Sequence, residues 1–277
     1  MSTTFGARLR HAMDTRGQLC VGIDPHASLL LDWGLSDDVA GLEWFAATVV
    51  EAVAGEVAVV KPQSAFFERF GSRGVAVLEQ TIADSRAAGA LVLLDVKRGD
   101  IGSTSQAYAD AYLDRSSPLA ADAITASPYL GFGSLQPMFD TAAANDAGVI
   151  VLALTSNKEG PEFQHATTAG GRTVGGSVLD QLAALNSGAD PLGSFGAVVG
   201  ATVSDTGESF EINGPLLAPG VGAQGGTAAD VRRIFGAAAR NVLPSTSRDV
   251  LRAGPDAARI RDAAARARDE FASLSHA

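Results

Sequence analysis

Asp95, Lys97 and Asp100 crowd three charges onto the end of an apolar run. The segment reads Leu91-Val92-Leu93-Leu94-Asp95-Val96-Lys97-Arg98-Gly99-Asp100-Ile101-Gly102-Ser103-Thr104. Four apolar residues bounded by turn signals read as a buried strand. In an extended backbone residues two apart point the same way, so Asp95 and Lys97 share a face. A lysine flanked by carboxylates is favoured as the ammonium. An acid, a base and an acid packed so closely at a strand end are a costly arrangement of charges. The alternative is a solvated surface ion pair, worth little energetically; charge at the C-terminal end of a barrel strand instead points to chemistry.

Other apolar runs end in the same way. Leu19-Cys20-Val21-Gly22-Ile23 leads to Asp24-Pro25, Val57-Ala58-Val59-Val60 to Lys61-Pro62-Gln63, and Gly148-Val149-Ile150-Val151-Leu152-Ala153-Leu154 to Thr155-Ser156-Asn157. Asp24 also suits an Asx-turn and Ser156 a helix N-cap. A glycine-rich stretch, Ala218-Pro219-Gly220-Val221-Gly222-Ala223-Gln224-Gly225-Gly226-Thr227, exposes backbone N–H groups to an anion and precedes a helix. Arg248 follows the last apolar run and offers a bidentate phosphate clamp, with Arg252 competing for that role.

The elements that position these residues follow from periodicity. Strands are expected at 19–25, 57–63, 91–97, 123–129, 148–154, 197–202, 216–220 and 241–244. Helices are expected at 4–17, 37–54, up to Gly89, 103–114, 134–145, near 175–187, after the glycine-rich loop and at 255–273. Ser103 or Thr104 stands near the start of the helix at 103–114. Eight apolar runs separated by helix-length connections argue for repeated βα units and a parallel sheet. Eight units in about 250 residues predict a single (β/α)8 barrel domain over 1–277 with an N-terminal capping helix. The polar link at 203–215 is short for a βα unit, and a doubly wound sheet is the competing architecture.

Composition narrows the partners. The net charge of −10 argues against nucleic acid. It leaves room for a phosphorylated small molecule, because a local donor cluster decides that. The single cysteine, Cys20, allows no intrachain disulfide and suits a reducing compartment. No apolar run has the length of a membrane span, and the first ten residues lack the apolar core of a signal peptide. A soluble cytoplasmic protein is expected. His11, His26, His165 and His276 are scattered, without metal-ligand spacing.

Asp95-Val96-Lys97-Arg98-Gly99-Asp100-Ile101-Gly102-Ser103-Thr104 resembles the signature of the orotidine 5′-phosphate decarboxylase family. Gly22-Ile23-Asp24-Pro25, Val60-Lys61-Pro62-Gln63, Ala126-Ser127-Pro128-Tyr129-Leu130-Gly131 and Pro219-Gly220-Val221-Gly222-Ala223-Gln224-Gly225-Gly226 fall in the family's order, and the set resembles its longer actinobacterial branch. The Asp-x-Lys-x-x-Asp core is shared with a wider suprafamily; the whole set is specific. The resemblance implies decarboxylation of orotidine 5′-phosphate to uridine 5′-phosphate on a barrel, without metal or cofactor. It implies a homodimer in which Asp100 and Thr104 reach the partner's site. Lys61, Asp95, Lys97 and Asp100 match the family's charged tetrad, and Lys97 its general acid. Asp24 matches a ribose-hydroxyl ligand and Ser156 the pyrimidine contact. Gln224, with Gly225 beside it, and Arg248 match the phosphate grip. Shorter members carry Gly-Arg where this chain has Ser247-Arg248.

Competing enzymes are a Schiff-base aldolase and a Mg²⁺-dependent sugar-phosphate enzyme on the same barrel. The first needs a lysine of lowered pKa, which two adjacent carboxylates oppose. The second would want its carboxylates free of a neighbouring lysine. A nucleotide-binding sensor would not need Lys97.

Overall fold

The computed structural model describes residues 3–203, 207–222 and 225–276. Eight strands close into one parallel barrel in sequence order. They are β1 (Cys20–Ile23), β2 (Val59–Pro62), β3 (Leu91–Arg98), β4 (Ala123–Ala126), β5 (Gly148–Leu154), β6 (Phe195–Val199), β7 (Leu216–Pro219) and β8 (Val242–Thr246). Pairing of Cys20 with Ser245 and of Val21 with Thr246 seals β1 against β8. The doubly wound alternative is therefore set aside: its sheet has two free edges, and this one has none.

The helices are α1 (Phe5–Arg16), α2 (Ala27–Asp32), α3 (Val39–Val53), α4 (Ser64–Glu68), α5 (Gly71–Ala87) and α6 (Gly102–Leu113) in the first half. The second half holds α7 (Gln136–Ala144), α8 (Gly160–Gln164), α9 (Val174–Leu185), α10 (Ala228–Phe235), α11 (Arg248–Leu251) and α12 (Ala257–Phe271). Their ends follow local chemistry. Asp38 caps α3 through the Gly41 amide, Thr173 caps α9 through the Gly176 amide, and Thr227 with Asp230 forms a capping box on α10. In α3 the residues Leu42, Phe45, Ala46, Val49, Val50 and Val53 make one buried stripe against the barrel. The short α2, α8 and α11 escape a periodicity reading because each spans fewer than two turns. Ser103 and Thr104 stand in the first turn of α6 as expected, and the N-cap position itself is Ile101, without a side-chain cap.

The link between β6 and β7 carries no helix among its described residues. Phe210 and Ile212 bury themselves where a helix face would lie, and the Phe210 ring packs on Phe235 with centroids 5.1 Å apart. Asn186, itself 1% exposed, bridges β6 and the link by donating to Phe195 O at 2.6 Å and Ile212 O at 3.0 Å. Its own Oδ1 accepts from Phe195 N at 3.2 Å. One buried amide thus joins this segment at Ile212 to the start of β6 and satisfies a carbonyl on each side.

The strand period of two divides every strand between two environments. Outward residues join the large core beneath the helices. Inward residues Cys20, Val59, Leu93, Ala123, Ile150, Val198, Leu217 and Leu243 fill the barrel's lower half, and Phe5, Leu9 and Met13 of α1 close it from below. That floor is tight. A Cβ on Gly148 would collide with the Phe5 ring and stand 2.8 Å from Ser194 O. Gly148→Ala is expected to destabilise the fold by about 1–3 kcal/mol through overpacking. Gly133→Ala, where nothing lies within 4 Å of the added carbon, should melt like the unaltered protein. Paired thermal denaturation curves check both.

Candidate active site

At the C-terminal mouth of the barrel the inward positions turn polar. Asp24, Lys61, Asp95, Lys97, Thr125, Ser245 and Arg248 line one cavity whose remaining wall is largely apolar, with Leu152, Val198, Leu217 and Val221. Two carboxylates and three cations make the charged lining net positive by one, a field that favours an anionic ligand even in an acidic protein.

Asp95 stands at the centre. Its Oδ2 accepts from Lys61 Nζ at 3.1 Å, and its Oδ1 accepts from Lys97 Nζ at 2.6 Å and from the Thr125 hydroxyl at 2.7 Å. Lys61 and Asp95 are each 6% exposed, so this charge pairing lies inside the protein. Burial by itself raises the Asp95 carboxyl, but Lys61 and Lys97 outweigh it and hold the group at about 2. Burial likewise disfavours the Lys61 ammonium, and Asp95 and Asp24 more than reverse this, moving its pKa upward. Each buried charge keeps the other ionised.

The expected geometry of Lys97 is right in outcome and different in cause. Extended backbone would aim it alongside Asp95. Lys97 instead has φ +44° in the left-handed region, which non-glycine residues rarely adopt. The pairing of β3 with β4 slips here: Leu94 faces Ile124 and Arg98 faces Ala126, so four steps on β3 span two on β4. This bulge lifts Lys97 so that its ammonium folds back onto Asp95. Arg98 anchors the far side, donating to Glu68 Oε1 at 2.6 Å. The same turn carries Asp100 away from its own cavity. Asp100 is half-buried, its Oδ1 accepts from the Ile101 amide at 2.8 Å, and it does not line the cavity. Thr104 is exposed on the first turn of α6.

Asp24 follows β1. A Cβ on Gly22 would come within 2.7 Å of Ser247 Cβ and 3.0 Å of the Asp24 carboxylate, so the glycine leaves room for that carboxylate to turn inward. Asp24 Oδ1 is buried and accepts no hydrogen bond among the described residues, an acceptor suited to a ligand hydroxyl. Ser156 is exposed and outside the cavity lining; Thr155 takes the lining position instead, fixed by Gln164 through Thr155 N at 2.8 Å and Oγ1 at 2.7 Å. Ser156 is not an N-cap either, since α8 begins beyond it with Glu159 at its cap.

After β7 the chain loops back on itself. Gly220, Gly222 and Gly225 all have positive φ, and Gly226 N donates to Gly220 O at 3.1 Å. Gly220 lines the cavity, and Gly225 is exposed. Gln224 lies outside the described residues. Of the two arginines weighed for an anion, Arg248 lines the cavity and Arg252, one turn on at the end of α11, does not.

Sequence reasoning passed over Thr125 and Thr155. The signal for Thr125 was a hydroxyl inside the otherwise apolar Ala123-Ile124-Thr125-Ala126, on the inward register shared with Ala123. Among the described residues, no group of three or more His, Cys, Asp or Glu side chains is placed to hold a metal, and no helix is long and apolar enough to cross a membrane.

Comparison with known proteins identifies the family. A model of the orotidine 5′-phosphate decarboxylase / HUMPS family matches residues 17–263. The orotidine 5′-phosphate decarboxylase of a Nocardioides species is 70% identical, over 97% of this chain and 99% of that protein. A solved structure of a homologue from Streptomyces avermitilis superposes with a TM-score of 0.97 at 63% identity, covering 100% of this chain and 98% of the other. The OMP decarboxylase of Leishmania donovani superposes with a TM-score of 0.77 at 30% identity, covering 99% and 100%. The chain belongs to the orotidine 5′-phosphate decarboxylase / HUMPS family.

Proposed function

We propose that this chain decarboxylates orotidine 5′-phosphate to uridine 5′-phosphate in pyrimidine synthesis. The observation that carries the reading is the Asp95 carboxylate shared by Lys61 and Lys97 at the barrel mouth. Loss of CO₂ from the pyrimidine C6 leaves an electron pair in the ring plane, without a π system to spread it. The barrier must fall by about 20 kcal/mol, near the top of the enzymic range. Lys97 presents its ammonium to that developing charge and then transfers a proton to C6. Lys61 and Asp95 hold that ammonium in place at no cost of reorganisation during the reaction. Asp24 accepts a ribose hydroxyl, and Ser156 meets the pyrimidine from the rim. Gln224, Gly225 and Arg248 grip the phosphate, and binding energy remote from C6 contributes to the transition state. We assign the protein to the cytoplasm, a reading supported by a buried, unpaired Cys20 whose thiol is pushed up to about 12 by burial.

The reading includes a homodimer with Asp100 and Thr104 serving the partner's site. Its support is that both stand off their own cavity, next to exposed Ile101, while Tyr129 and Leu130 expose further apolar surface after β4. A twofold contact makes such sharing reciprocal.

The direct test is loss of orotidylate absorbance with purified protein. Activity should survive dialysis against EDTA, and Lys97→Ala should lower kcat by at least about a thousandfold. Activity lost to EDTA and restored by Mg²⁺ would instead favour the sugar-phosphate chemistry.

Removing the Arg248 clamp by Arg248→Ala should cost about 2–3 kcal/mol in kcat/KM. The loss should be much smaller with a substrate lacking the phosphate. Equal losses on both substrates would take Arg248 off the phosphate.

Shared sites are tested by complementation. Lys97→Ala and Asp100→Ala homodimers each have two damaged sites. After joint unfolding and refolding in equal amounts, random pairing makes half the dimers mixed. Each mixed dimer has one site with both residues intact, so about a quarter of the unaltered activity should return. No recovery, with mixed dimers confirmed by mass, would assign Asp100 to its own chain's site.

A further inference from the structure

We infer that Thr125 is a positioning residue for the reaction, because its hydroxyl ties the Asp95 side chain to the Lys97 backbone across the β3–β4 seam. The inference rests on the decarboxylase reading above. Thr125 is fully buried, and its Oγ1 donates to Asp95 Oδ1 at 2.7 Å. The same oxygen accepts from the Lys97 amide at 2.9 Å. A hydroxyl has one proton to give, and here it goes to the carboxylate, so the two bonds run in one direction, from Lys97 N–H through Thr125 to Asp95.

Three features make that relay necessary. The bulge between Leu94 and Arg98 takes Lys97 out of the regular ladder, and its N–H donates to the Thr125 hydroxyl oxygen instead of a β4 carbonyl. Lys97 also holds φ +44°, a conformation that persists only where the surroundings over-determine it. Finally, Asp95 Oδ1 takes the Lys97 ammonium and the Thr125 hydroxyl together, so the hydroxyl fixes the carboxylate rotation that aims the ammonium. Thr125 thus constrains Lys97 at both ends: its backbone directly, its Nζ through Asp95. Ser127 N donating to Arg98 O at 2.8 Å resumes normal pairing immediately beyond.

Thr125→Val keeps the shape and removes both hydrogen bonds; Thr125→Ser keeps both. With the unaltered enzyme active on orotidylate, Thr125→Val should lose about tenfold to a hundredfold in kcat, the scale of a small misplacement of a reacting group. KM should stay within about twofold, because substrate binding falls to other residues. Thr125→Ser should recover kcat to within a few-fold. Hydrogen exchange gives a readout independent of turnover: the Lys97 amide should exchange faster in Thr125→Val and not in Thr125→Ser. If Thr125→Val fails to fold, Thr125→Ala carries the same comparison. Unchanged kcat in the hydroxyl-free variant overturns the inference. So does an equal loss in Thr125→Ser, or a loss confined to KM. An inactive unaltered enzyme would refute the decarboxylase reading, and the exchange comparison would still decide the hydroxyl's structural part.

Discussion

A carboxylate held between two ammoniums, at the point where a sealed core meets solvent, is the interaction on which this structure depends. Asp95 cannot be buried alone, and neither can Lys61; burial disfavours the charged form of each, and their mutual attraction offsets it. Removing one member of such a group leaves an uncompensated buried charge and costs about 3–5 kcal/mol. The barrel supplies the geometry cheaply, because β2 and β3 are hydrogen-bonded neighbours and their inward positions at the mouth are Lys61 and Asp95.

The remainder of the fold separates the two demands that this cluster creates. Below it, inward side chains and α1 make a dry floor that keeps water from screening the charges from beneath. Above it, connections that carry little regular structure shape the entrance. The segment after β5 is fastened by Gln164 onto Thr155, and the segment between β6 and β7 is tied to α9 by Thr173, whose hydroxyl donates to Glu208 Oε1 at 2.6 Å. Stability therefore concentrates at the N-terminal face and chemistry at the other, the usual division in this architecture.

Much of this was legible in the chain itself. Local patterns determined the eight apolar runs, the polar residue ending several of them, the glycine-rich loop and the presence of Asp95 and Lys97 together at one strand end, because strand period and turn chemistry act over a few residues. The absence of a helix between β6 and β7 was visible only as a weak link. What replaces it is Asn186, which needs partners nine and twenty-six positions away.

Tertiary structure decided where each polar group finally points. Lys97 meets Asp95 through a bulge and a left-handed residue, not through plain alternation, and the slip that causes it belongs to the pairing of β3 with β4. Thr125 acquires its two bonds from residues about thirty positions earlier. Thr155 lines the cavity while its neighbour Ser156 stands at the rim, a difference of one residue that depends on how the chain leaves β5. Composition and periodicity determine which groups reach the mouth of the barrel. Register between strands distant in sequence decides which of them touch, because a shift of one residue turns a side chain to the opposite face.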